Sequence, residues 1–513
     1  MSWGINERLL ALSLGVLCWL APVESAQAQA KPSIPPWAAI VHQLALAVHD
    51  PGSKVSSPGV FPPIIPQYLQ SDDPSGTVET YNPAAPTDTS RNPFFVSLGT
   101  NGRACVTCHE PRSAWGVSAA SLQERFANSN GTDPIFRLVD GATCDTDDVS
   151  TPAARRKAYG LLLSKGLIRI FLPLPATQLG SNPPVPRDFA IIGVSDPYGC
   201  TDLAADPAIV SVYRRPLISA NLKFLTKCPD SDPSCAPLAI MWDGREPSLE
   251  SQATDAILGH AQALNPPTSD QLAQIVSFES QLYDAQVYDN AAGHLDKHGA
   301  KGGPAYLSQQ EFFIGINDSL SPGFDDLVFT LYDAWQSLSA PSASNSARES
   351  IARGEALFNT RQFTISGVNG LNLFSSDPLG AKPITGSCAT CHDSPNVGNH
   401  SEKLALDIGV ADASPPALDV SGLPLFTVQC TSGPLQGQVF TVTDLGRALI
   451  SGKCADVGKV KGPILHGLAA RAPYFHNGSA ATLQDAVNFY DQRFSIGLTD
   501  QEKADLVAFL QAL

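Results

Sequence analysis

Two short stretches of this sequence combine a pair of thiols with an imidazole at fixed spacing: Cys105-Val106-Thr107-Cys108-His109 and Cys388-Ala389-Thr390-Cys391-His392. Two cysteines with two residues between them can add across the vinyl groups of a haem, and the histidine that follows is then placed to ligate the iron. A dithiol redox motif or half of a zinc site would use the same cysteines, but neither accounts for a histidine directly after both copies. The motifs therefore predict two covalently bound haem c groups. Cys105, Cys108, Cys388 and Cys391 are the attachment points, and His109 and His392 the iron ligands.

The sixth position of each iron is less constrained. Met1 and Met241 are the only methionines, so a Met ligand on both irons is excluded once Met1 leaves with a leader. Histidine ligands would have to come from His42, His49, His260, His294, His298, His400, His466 or His476. That set is too large to choose from by elimination.

The rest of the chain must position these groups. It has 513 residues, 43% of them hydrophobic, enough to bury two or three domain-sized cores. With 42 Pro, 40 Gly and only 16% charged residues, a loop-rich body is expected. The net charge of -16 speaks against nucleic acid or an anionic membrane as partner and suits a small basic protein. Residues 1–28 read as a signal peptide, with Arg8 before an apolar run and Ala-x-Ala sites near Ala28, so the expected address is the periplasm, without stable membrane insertion. Cys18 leaves with that leader. Of the remaining ten cysteines the haem motifs use four. Cys144, Cys200, Cys228, Cys235, Cys430 and Cys454 are left for up to three disulfides, with 15 pairings open in principle. The local choices are Cys228 with Cys235 and Cys430 with Cys454, leaving Cys144 with Cys200.

Residues 29–93 form an N-terminal extension expected to pack over the body, with one helix at 37–48. Helical spacing is present at 119–127, 153–165, 249–258, 269–288 and 350–358, and a hairpin is expected from Phe426-Thr427-Val428 and Val439-Phe440-Thr441-Val442. Two closing helices begin at Thr482 and Thr499, each with an acidic residue three positions later. The Ser/Ala/Pro stretch 337–346 is the best boundary. The expected fold is mainly α: two cytochrome c-like haem domains, at 94–338 and 347–513, each with a loop-rich insertion.

Several segments carry a family resemblance. Ala472-Pro473-Tyr474-Phe475-His476-Asn477-Gly478-Ser479 with the helix after Thr482, and Trp242-Asp243-Gly244-Arg245 with Leu249-Glu250-Ser251-Gln252, together with the haem motifs, resemble the dihaem cytochrome c peroxidases and the MauG-type dihaem enzymes. The resemblance covers most of 94–513, outside the stretches 144–235 and 404–454. It implies that the residue fourteen positions beyond His476 is the second iron's distal ligand. That residue is Tyr490, as in MauG-type members, where the peroxidases have Met. A tyrosinate is a hard anionic donor that favours the higher oxidation states of iron. It further implies that the first iron is the peroxide site, that Trp242 couples the haems, and that Gln252 belongs to the peroxide pocket. No histidine lies between His109 and His260, so the first iron is expected to be open or water-bound.

The chain departs from the family in two places. The catalytic Glu expected ten residues after Gln252 is Gln262, which exchanges no proton at neutral pH. Either His260 takes over that duty or a carboxylate such as Glu250 reaches in; the alternative for His260 is a hydrogen bond to a haem propionate or to the backbone. Arg245 is expected in an ion pair or on a propionate, and His476 as a support of the fold. The resemblance also implies calcium between the haem domains, but the family threonine five positions before His476 is Arg471, and there is no EF-hand loop.

The activity so implied is reduction of hydrogen peroxide with electrons from a small periplasmic donor. Three alternatives stand beside it: MauG-type oxidation of a protein partner, a dihaem oxygenase acting on a hydrophobic substrate, and a non-enzymatic electron carrier. Oligomeric state is not readable from the sequence.

Overall fold

The computed structural model describes residues 61–174, 186–200, 209–232, 235 and 237–513. The leader, Cys18 and the helix expected at 37–48 lie outside them. Residues Pro51–Leu513 belong to one compact unit.

Six helices longer than ten residues set the frame: Ala119–Ser129, Leu249–Gly259, Ser269–Glu279, Ala343–Thr360, Leu483–Phe494 and Asp500–Gln511. Each starts at a hydroxyl. Ser118, Ser248, Thr268, Ser342, Thr482 and Thr499 accept a hydrogen bond from the backbone N–H three residues on, satisfying one of the donors that a helix N-terminus leaves free. At Thr482 and Thr499 the acidic residue three positions later closes a capping box, as expected from the sequence. The stretch 337–346 is in part helical, because Ser342 caps a helix that already begins at Ala343.

The expectation of a mainly α protein needs correction, since the described residues also hold fifteen short strands in six sheets. Helical spacing at 269–288 stops at Glu279. Tyr283–Asp289 is instead a strand, buried along its first five residues. A strand covered on both faces shows no alternation, so its apolar run looks like the continuation of a helix. It pairs antiparallel with Gly76–Tyr81, which pairs antiparallel with Tyr68–Asp73. The N-terminal extension thus supplies a central and an edge strand of a four-stranded sheet rather than a cover over the body.

The two insertions meet each other. Leu425–Cys430 pairs with Val439–Val442, the expected hairpin, and on its other edge with Phe189–Ser195, more than two hundred residues earlier. Disulfides Cys144–Cys200 and Cys430–Cys454 flank this sheet, and Cys228–Cys235 closes a local loop. All three pairings match the sequence reading. The insertions share one apolar core that includes Phe189, Ile191, Val212, Phe426 and Val428. A second core joins Phe329, Tyr332 and Trp335 to Phe358 and Phe509.

A bridged loop followed by a hydroxyl-capped helix occurs three times among the described residues, once at Glu110↔Gly116 before Ser118, and the other two copies share both of their left-handed positions. A bridge Ile240↔Glu246 closes a tight loop, after which Ser248 caps Leu249–Gly259; a bridge Tyr474↔Ala480 closes another, after which Thr482 caps Leu483–Phe494. Left-handed residues fall at matching places, Met241 (φ 67°) and Gly244 (φ 70°) in the first, Phe475 (φ 65°) and Gly478 (φ 61°) in the second. On this register Trp242 corresponds to His476, and Ala256 to Tyr490.

Candidate functional site

The two Cys-x-x-Cys-His segments adopt the same turn. Cys105–Thr107 and Cys388–Thr390 are single 3-10 turns. In the first, the Ala104 N–H donates to Thr107 Oγ1 at 3.0 Å; in the second, the Ser387 N–H donates to Thr390 Oγ1 at 3.0 Å. The threonine between the cysteines therefore fixes the turn that presents both thiols on one side. Each histidine is held from behind by a main-chain carbonyl six residues on: His109 Nδ1 donates to Trp115 O at 3.0 Å, and His392 Nδ1 to Gly398 O at 2.6 Å. A carbonyl only accepts, so Nδ1 carries the proton and Nε2 is left with its lone pair, the arrangement an iron ligand needs. Burial lowers the pKa of both imidazoles and keeps them neutral. All six other described cysteines are in disulfides, and these four are free thiols. Burial pushes Cys105 up to about 12, Cys108 to about 11, and Cys388 and Cys391 to about 12. Thiol pairs, oriented imidazoles and apolar walls all fit covalently held haem.

The first turn opens on a cleft lined by Phe94, Cys105, Cys108, His109, Gln252, Ala256 and His260, with Met241 also on its wall. Gln252, Ala256 and His260 come from successive turns of one helix and its C-cap, which is why they share a face. His260 is held by a carboxylate, its Nδ1 lying 2.5 Å from Asp140 Oδ2, while Arg103 pairs with Asp140 Oδ1. Burial would raise the Asp140 carboxyl, but Arg103 and His260 outweigh it and keep it below its ordinary value. The backbone of His260 is gripped as well, its carbonyl accepting from Asn101 Nδ2 at 2.8 Å. Glu250 is exposed, and so is Gln262, whose side chain accepts from Asn101. Sequence reasoning missed Glu279, a buried carboxyl on the cleft wall with Oε1 lacking a hydrogen-bond partner. Burial, and then Glu250, raise its pKa to about 8. Its signal in the sequence was a charged residue on the buried stripe of an amphipathic helix.

At the second turn, Tyr490 lies on Leu483–Phe494, among Phe475, Phe489 and Phe494, with ring centroids 5.4 to 6.4 Å away. Burial raises its hydroxyl pKa, and the nearby Cys391 and Cys388 add to the effect. Its hydroxyl makes no hydrogen bond to a described residue, which leaves the oxygen available.

Trp242 is buried, and two main-chain hydrogen bonds and one ring contact position it. Its Nε1 donates to Arg215 O at 2.8 Å, its carbonyl accepts from Lys461 N at 2.9 Å, and its ring centroid is 6.0 Å from that of His476. The next residue, Asp243, is clamped by Arg214, which also grips Asp444. Burial opposes ionisation of Asp243, but Arg245 and Arg214 overcome it and hold the carboxyl at about 2. Arg245 is thus an ion-pair partner, and His476 is buried beside the same network.

No family model matches the chain. A cytochrome-c peroxidase named IdrP2, from Denitromonas iodatirespirans, is 36% identical over 137 residues, 25% of this chain and 36% of the relative. Another, IdrP1 of Pseudomonas sp. (strain SCT), is 26% identical over 291 residues, 53% of this chain and 64% of the relative. The chain therefore matches about a third of the length of the first and less than two thirds of the second. A solved variant of the diheme peroxidase BthA from Burkholderia thailandensis aligns with 88% of this chain and 95% of its own at 15% identity, with a TM-score of 0.32, too low to argue a shared fold. Over part of its length, then, the chain is similar in sequence to cytochrome-c peroxidases.

Proposed function

We propose that the chain is a dihaem c-type peroxidase that reduces hydrogen peroxide at the His109 site, while the site of His392 and Tyr490 stores or passes on oxidising equivalents through Trp242. The single observation that carries this reading is the repeated loop–helix unit, in which one position is Ala256 on the first cleft and Tyr490 beside the second thiol pair. An alanine leaves room for a small substrate at the iron; a tyrosine supplies an oxygen donor. The haem domains are those expected at 94–338 and 347–513, and the periplasmic address is part of the proposal.

A haem bound at each turn supplies the redox-active iron. His109 and His392 would hold it through Nε2, their rings oriented by the carbonyls of Trp115 and Gly398. His260 holds and moves a proton at Nε2, since Asp140 holds Nδ1 and so orients the ring toward the cleft. Gln252 orients peroxide by hydrogen bonding, and the buried Glu279 carboxyl is a second proton store. Overall, one peroxide takes up two protons and two electrons to give two waters; the electrons come from a small periplasmic donor or an oxidisable protein partner.

The test uses the holoprotein. Ferric EPR should show one high-spin and one low-spin haem, and peroxide should react before any reduction, oxidising two equivalents of a one-electron donor. Two low-spin haems with negligible turnover would make the chain an electron carrier. Oxygen uptake with cleavage of a hydrophobic substrate, without peroxide, would make it an oxygenase.

A further inference from the structure

Calcium between the haem domains is what the family resemblance implies, and it needs a shell of six to eight oxygen ligands. Among the described residues no cluster of three or more His, Cys, Asp or Glu side chains could hold a metal ion. Backbone carbonyls could still serve, but at the place in question they already have a partner. The partner is Arg215, a buried arginine. Its Nη2 donates to Val117 O at 2.6 Å and to Arg471 O at 2.7 Å, and its Nη1 donates to Lys165 O at 3.2 Å. Arg471 is the residue that stands where the family has threonine.

The cradle is shaped for a guanidinium. A Cβ on Gly166, which sits at φ +64°, would lie 2.4 Å from Arg215 Nη1, and one on Gly478 would lie 2.5 Å from Lys165 O. Both positions are held open by the lack of a side chain. No carboxylate of a described residue pairs with Arg215, so the charge is compensated by carbonyl dipoles, as a bound cation's would be. Burial, and then Arg471, push its pKa down to about 9, still above neutral pH. The same residue ties the second half to the first through its backbone: Arg215 N donates to His476 O at 2.7 Å, and Arg215 O accepts from the indole of Trp242.

We propose that the Arg215 guanidinium takes the place of a calcium ion in this chain, so that the junction around Trp242 is organised without metal. A covalent side chain gathers carbonyls from three distant segments and cannot be lost to a chelator. The inference stands on these contacts and not on the peroxidase reading.

The experiment is metal analysis of the purified holoprotein, followed by EGTA treatment and re-addition of calcium, with haem EPR and the thermal midpoint as readouts. Calcium should be well below stoichiometric, about 0.1 per chain or less, and neither readout should move with chelation or re-addition. Arg215→Gln should lower the midpoint, and calcium should not restore it. One calcium per chain, with EPR changes on chelation that calcium reverses, would overturn the inference. So would an Arg215→Gln protein whose midpoint equals that of wild type. If that variant does not fold, the wild-type metal content alone decides.

Discussion

The two Cys-x-x-Cys-His turns are built alike and differ in what faces them. Each has a threonine-capped 3-10 turn, a histidine fixed on a carbonyl six residues on, and a bridged loop leading into a hydroxyl-capped helix. On that common frame the first half presents Gln252, Ala256 and the His260–Asp140 pair, and the second presents Tyr490 within a ring of phenylalanines. On the proposed reading, the frame sets where iron would be held, while a few side chains on one helix face decide what it could meet. In the proposal, a small residue with a proton-handling pair makes a reaction site, and an aromatic oxygen makes a closed one.

The most severe way to break the comparison is to delete one turn. Cys105→Ser with Cys108→Ser should leave one covalent haem on denatured protein and no peroxide turnover, whereas the same change at Cys388 and Cys391 should spare the first haem. Two haems extractable from wild type by acid–acetone would refute both expectations. Next in size, His260→Ala should slow the peroxide reaction by about 10²–10⁴-fold with both haems retained, as for loss of a general acid–base group. Unchanged stopped-flow kinetics would transfer that role to Glu279.

Ala256→Tyr imposes the second half's choice on the first. The high-spin ferric signal should become low-spin, and peroxide reactivity should fall by about 10²-fold or more, because a filled sixth position leaves no iron to reach. A persistent high-spin signal would break the correspondence between positions 256 and 490. The reverse change, Tyr490→Met, should raise the second haem's Fe(III)/Fe(II) potential, since a neutral thioether replaces an anionic phenolate. Spectroelectrochemistry checks the sign, and an unmoved potential would mean that Tyr490 is packing alone.

The smallest effect concerns Glu279. Its folded pKa is raised from 4.5 to about 8, so folding takes up a proton between those values. The stabilising contribution is complete below the unfolded pKa and is lost as pH rises through the folded one, at about 1.4 kcal/mol per pH unit in between. Denaturant titrations from pH 5 to pH 8 should show that slope, and Glu279→Gln should flatten it. An identical slope in the variant would point to another group.

Much of the haem-binding apparatus was legible because it is local. Cys-x-x-Cys-His, hydroxyl caps and the disulfide candidates are patterns that short stretches of chain determine by themselves. What could not be read depends on partners far apart in sequence. Strand Tyr283–Asp289 needed residues 76–81 to declare itself, and it was read as helix. Asp140, the partner that orients His260, is 120 residues away and carries no pattern. Gln262 stands out by its spacing from Gln252 and Glu250 as a nearby carboxylate, yet both residues are exposed. The equivalence of Ala256 and Tyr490 was also hidden, because the two loop–helix units share backbone conformation and caps but few residue types.

The cysteines have a consequence for maturation. With haem attached as proposed, one chain would carry six sulfurs oxidised in pairs and four joined to carbon through thioether bonds, so a single redox environment acting on the unfolded chain would serve both fates badly. Adjacent thiols in a Cys-x-x-Cys segment close readily into a disulfide, and a closed pair cannot add to a vinyl group. Attachment therefore has to outrun oxidation at 105–108 and 388–391, or a reductant has to reopen those pairs. Once the chain is folded the risk recedes, because burial holds those thiols at pKa values of about 11 to 12, where the reactive thiolate is scarce. On the proposed reading, folding would preserve whichever state the thiols reached first, and the supply of haem relative to oxidant would set the yield.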